Sequence, residues 1–180
     1  MAKQTSYTHQ TIPNLRARAI TKMDSNQSIT ITSIPTPTLP ETAAQKDVII
    51  LPVSGNLESG SHSYASTAIS LKKYAEAQLE IDFLTPMDDL YDQRSSTIYL
   101  PTLLFVAQAL IENQELIRTT LDIITAFLRD SGKSESAPVE LSCVVEETEG
   151  ARSVKLDYKG PVNGLSTIGP ALKEAVRRGK

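Results

Sequence analysis

The sequence predicts an α+β domain, a small sandwich of a mixed sheet and packed helices, preceded by an extended or disordered N-terminal tail. Three observations predict it. The first 45 residues are crowded with Ser, Thr, Gln and Asn and end in a proline cluster. Beyond them, runs of strand and helix character follow in the order strand, helix, strand, helix, strand, strand, helix. One of these runs, Thr102 to Asp130, holds neither Gly nor Pro and would make an amphipathic helix about 40 Å long. The division is a tail and linker over 1–45 and a single domain over 46–180.

Within the tail, Ser28-Ile29-Thr30-Ile31-Thr32 alternates polar and apolar residues as a half-buried strand does. Pro35, Pro37 and Pro40 exclude helix around them and read as a semi-stiff linker. No apolar run qualifies as a secretory signal. Arg16, Arg18 and Lys22 beside Ala17, Ala19 and Ile20 faintly suggest a transit segment, but a basic solvated stretch is the simpler reading, with cytoplasm the default location.

Asp47 to Val53 is a continuous apolar run, the pattern of a strand covered on both faces, with Pro52 at its end. A loop follows, then a helix over Tyr64 to Gln78 and a second strand over Leu79 to Leu84. That order predicts a right-handed crossover joining parallel strands. The loop stands where phosphate cradles stand, so Ser54, Gly55, Asn56, Gly60 and Ser61 are the candidate ligand-binding residues of a small-molecule or nucleotide sensor. It lacks both the Gly-Lys-Ser/Thr ending and the GxGxxG spacing, which favours a plain connection. Asp88, Asp89 and Asp92 near Arg94 read as a solvated acidic loop, because a cation cage needs more oxygens in a defined order.

In the long run after Pro101, Leu103, Ala107, Leu110, Gln114, Ile117, Leu121, Ile124 and Leu128 recur at spacings of three and four. This is a heptad seam with one polar interruption, flanked by a second apolar set. A membrane span is excluded by the charges from Glu112 to Asp122. Two readings stay open: a helix packed wholly on its own sheet, or one whose remaining stripe meets a protein partner or a second copy.

Val139 to Val145 and Ser153 to Tyr158 alternate as the strands of an antiparallel hairpin turning near Gly150. Cys143 falls among apolar neighbours and reads as an inert buried thiol. A last helix ends near Arg178, with Pro170 best placed in its first turn.

The long helix ending in Ala126-Phe127-Leu128-Arg129-Asp130, and the hairpin with Gly150 at its turn and Val154-Lys155-Leu156 after it, carry a resemblance. Over about 47–178 the chain resembles the effector-associated constant component family of prokaryotic conflict systems. It departs in the longer loop at 54–63 and in Gly160 to Leu165 before the last helix. The resemblance implies a non-enzymatic adaptor joining a sensor to an effector in antiviral defence.

Composition points the same way. One cysteine excludes an internal disulfide framework, and two histidines leave little material for imidazole chemistry. A net charge of −3 argues against nucleic acid as the partner. No nucleophile–base pair, metal cluster or cofactor cradle is visible, so neither catalytic residues nor a cofactor is expected. His62 between Ser61 and Ser63 is the sole catalytic candidate, and reads as a solvated loop residue.

Overall fold

Alternation in the C-terminal third of the chain builds the middle of the sheet. Strands β9 (Pro138–Glu146) and β10 (Arg152–Pro161) pair antiparallel as expected, with Cys143 opposite Leu156 and Leu141 opposite Tyr158, while the turn expected near Gly150 lies outside the described residues. These side chains face the core. Ser142, Lys155, Asp157 and Lys159 lie on the other face, tied together by the Lys155–Asp157 and Lys159–Glu140 ion pairs. The structure, a computed structural model, describes residues 22–24, 27–36, 39–41, 43, 45–53, 62–91, 95–146 and 152–178.

Strands β1 (Lys22–Asp24) and β2 (Gln27–Pro35) extend this pair on one side, β2 running antiparallel to β10 with Ile31 opposite Leu156. The alternating segment in the tail is therefore a strand of the main sheet. Residues 22–24 and 27–35, assigned by sequence to the tail, belong to the sheet. The proline-bearing stretch connects β2 to β3 (Val48–Leu51), so it joins two strands of one sheet rather than a tail to a domain. It is fastened on the way: Ser153 Oγ donates to Thr36 Oγ1 at 3.1 Å, and Ala43 is buried in the core. Residues 1–21, which include Arg16 and Arg18, lie outside the described residues.

The crossover unit is present, in modified form. β3 and β5 (Ile81–Phe83) pair in parallel, and α1 (Ala68–Ala75) lies between them in the chain. Tyr64 and Ala65, expected in the helix, belong instead to β4 (Ser63–Ala65). That strand pairs in parallel with β6 (Asp89–Tyr91) as a separate two-stranded ribbon.

The expected single helix over 102–130 is replaced by a strand and two helices. β7 (Ile98–Tyr99) and β8 (Thr102–Phe105) follow one another along the same side of β9. Pro101, which has no N–H to give a ladder, separates them rather than opening a helix. β8 also pairs antiparallel with β3, completing the order β1-β2-β10-β9-β8-β3-β5. Val106 is still extended, and α2 (Ala107–Glu112) is short. Asn113 then leaves helical geometry, its Oδ1 accepting the Glu115 N–H at 3.1 Å, before α3 (Leu116–Asp130) begins. A polar run of Glu, Asn, Gln and Glu gains nothing from burial, and the asparagine offers the backbone a competing bond.

α3 buries Leu116, Ile117, Thr120, Leu121, Ile123, Ile124 and Leu128. It packs against α1, against a tight turn at Val162–Thr167 and against α4 (Ile168–Arg178). Tyr74 of α1 sets its ring edge-on to Phe127 at 5.6 Å and donates its hydroxyl to Asp130 at 2.6 Å, fixing the end of α3. Pro170 sits in the first turn of α4, as expected. Among the described residues no helix is long and apolar enough to cross a membrane.

Tyr158 locks the end of β10 to the turn beneath α4. Its buried hydroxyl donates to the Pro161 carbonyl at 2.6 Å. A Cβ at Gly160 would stand 2.6 Å from that hydroxyl oxygen, and one at Gly164 would come closer still. The hydroxyl can sit there because both glycines lack a side chain. Gly164→Ala is expected to destabilise the fold by about 1–3 kcal/mol through overpacking. Tyr158→Phe in the same background should recover part of that loss, as read by urea unfolding.

Candidate functional site

The polar groups that stand out gather where the chain leaves β3 and returns to β4. Pro52 ends the β3 ladder, and the Val53 N–H donates to the Ser63 carbonyl at 2.8 Å. Ser54, Gly55, Asn56, Gly60 and Ser61, the candidate ligand-binding residues, lie outside the described residues. His62 follows, and its backbone is fully used. Its N–H donates to Asp88 Oδ2 at 2.9 Å, and its carbonyl accepts the Asp88 and Asp89 N–H groups at 3.2 and 3.3 Å.

The His62 side chain is not the solvated loop group that the sequence suggests. It is 6% exposed, and its Nδ1 has no hydrogen-bond partner among the described residues. Leaving such an atom unpaired costs about 1–3 kcal/mol. Beside it, Tyr64 is fully buried, with its ring edge-on to Phe83 at 4.9 Å. The Tyr64 hydroxyl accepts the Thr85 N–H at 3.1 Å and lies 3.0 Å from both oxygens of Thr85, which ties β4 to the end of β5. Asp88 bonds the main chain of His62, so its hydrogen bond does not orient the imidazole as a catalytic base would require.

Of the acidic group, Asp92 and Arg94 lie outside the described residues. Asp88 and Asp89 each accept a backbone N–H, from His62 and Leu90. Among the described residues no three His, Cys, Asp or Glu side chains are placed to hold a metal ion. Cys143 is buried in β9, and burial first, then the Asp157 charge, pushes its thiol up to about 12.

The heptad seam does not form a surface. Leu103 is a fully buried residue of β8, Ala107 and Leu110 are half-buried on α2, and Gln114 is exposed in the break before α3. Ile117, Leu121, Ile124 and Leu128 are buried inside this chain. The stripe that was to meet a partner is occupied by the chain's own sheet and helices. The large apolar side chains that do reach solvent among the described residues are Val53 (47%), Leu90 (39%), Tyr91 (48%) and Ile111 (59%). Sequence reading passed over Leu90 and Tyr91 because they stand in an acidic stretch. An apolar pair in such a stretch was the available signal.

The chain is thus a mixed α/β protein with a mixed sheet and, among the described residues, four α-helices. No family model, curated protein or solved structure matches it.

Burial of Cys143 has a consequence for alkaline stability. The thiol ionises near pH 9 in the unfolded chain but only near pH 12 in the fold, so unfolding releases a proton across that interval and stability falls as pH rises. Tyr158, pushed up to about 12 by burial, acts in the same direction. Wild type is expected to lose stability relative to Cys143→Ala between pH 9 and 12, while below pH 8 their difference stays constant; urea midpoints across that range check it.

Proposed function

We propose that the chain is a non-enzymatic accessory module that works by binding a larger protein, and that it docks through β6 rather than through the helical seam. One observation carries this reading: all three residues of β6 are exposed although the strand is paired, and Leu90 and Tyr91 are large and apolar. They extend to opposite sides of the ribbon. A partner would clasp the strand between two apolar surfaces. The context we propose is the one that the family resemblance implies, a link between sensor and effector in prokaryotic antiviral defence.

A second reading is favoured by the unpaired Nδ1 of His62: a small-molecule or nucleotide-sensing domain whose ligand bonds that atom. Under this reading, a nucleotide and metabolite panel raises the melting temperature of wild type and leaves His62→Ala unmoved.

Affinity capture from the native source tests the first reading. Tagged wild type should retain a larger protein. Leu90→Ser/Tyr91→Ser should bind it about tenfold or more weakly, a loss of 1.4 kcal/mol or greater. Its unfolding midpoint should stay at the wild-type value, since both side chains are exposed. Equal capture by the two proteins sinks docking through β6.

A further inference from the structure

Each of the two sheets ends in a short parallel strand with a free flank among the described residues, and both strands carry the same device. β5 bonds β3 through alternate residues: the Val48 N–H donates to Glu80, and the Leu84 N–H to Ile50. In a parallel ladder this turns the main-chain groups of Ile81 and Phe83 outward. The outward Phe83 N–H is taken by Asp82 Oδ1 at 2.9 Å. Lys72 stands 3.9 Å from that oxygen while also bonding Glu76 at 3.2 Å, which holds the carboxylate over the edge.

β6 repeats the arrangement. Asp89 donates its N–H to His62, and Tyr91 accepts the Ser66 N–H, so these residues face β4 and Leu90 faces outward. The Leu90 N–H is taken by Asp89 Oδ1 at 2.7 Å. In both strands the aspartate immediately precedes the outward donor, and in both that donor belongs to a large apolar residue.

An open strand edge is a template for another strand, and it pairs most readily where its donors are free and its side chains apolar. We propose that Asp82 and Asp89 are edge guards. Each carboxylate occupies the donor that an incoming strand needs. The strand kept out is that of a second copy of this chain, whose own β5 or β6 would otherwise extend the sheet. This is independent of docking through β6, in which a partner grips the side chains and adds no strand.

The test separates the hydrogen bond from the charge. Asp82→Ala/Asp89→Ala removes both, whereas Asp82→Asn/Asp89→Asn keeps an oxygen that accepts the same N–H. The alanine pair should self-associate with at least a doubled weight-average mass by light scattering, at concentrations where wild type and the asparagine pair hold their mass. At high dilution, hydrogen exchange at the Phe83 and Leu90 amides should be faster in the alanine pair than in wild type, and it should slow again as that protein associates. An unchanged mass for the alanine pair overturns the proposal, and so does association of the asparagine pair to the same extent. If the alanine pair fails to fold, Asp89→Ala alone carries the same test, because the ribbon stands outside the main sheet.

Discussion

The structure depends on the burial of one short strand. Leu103, Leu104 and Phe105 of β8 have no exposed surface, although their side chains alternate between the two faces of the sheet. Such a strand is stable only where both faces are covered and both edges paired. β8 meets these conditions by running antiparallel to β3 and parallel to β9. It thereby welds the crossover unit, β3 with β5, to the hairpin, β9 with β10. Without it the parallel pair β3 and β5 would have no ladder to the strands around β9.

That strand is also where the sequence misled. Thr102 to Phe105 opens a long stretch free of Gly and Pro, and a short apolar run fits a buried strand or a buried helix equally well. The choice is made by β3 and β9, which are distant in the chain, so no local pattern could make it. Asn113 was a legible break, masked by the regular spacing of leucines and isoleucines around it. Elements whose pattern is local came through: the hairpin, the parallel pair β3 and β5, the strand at Ser28 to Thr32 and the first-turn position of Pro170. The candidate site was less legible. His62 is buried, and its main chain is bonded to Asp88 and Asp89, which the sequence places in another loop.

The width of the apolar arc on α3 has a plain physical origin. A helix laid on a sheet would use one stripe, but α3 is covered on further sides by α1 and α4. The surplus that suggested a partner is consumed within the chain. A core poor in aromatic residues relies on a few of them at its joints instead. Tyr64 pins the ribbon to the end of β5, Tyr74 pins α1 to α3, and Tyr158 pins β10 to the turn before α4. In each case the ring packs or the residue is buried while the hydroxyl finds a partner on another segment, so one residue serves both packing and register.

The placement of β2 governs the order in which the molecule can be completed. It pairs with β10, which lies far along the chain from it, with Ile29 opposite Tyr158 and Ile31 opposite Leu156. Its alternating isoleucines therefore stay without that partner strand until β10 has been made. Pairing across such a separation carries a large loop-closure entropy and slows folding. Nascent chains of this protein thus pass through a stage in which an apolar strand waits unpaired, the period when a chaperone has most to offer.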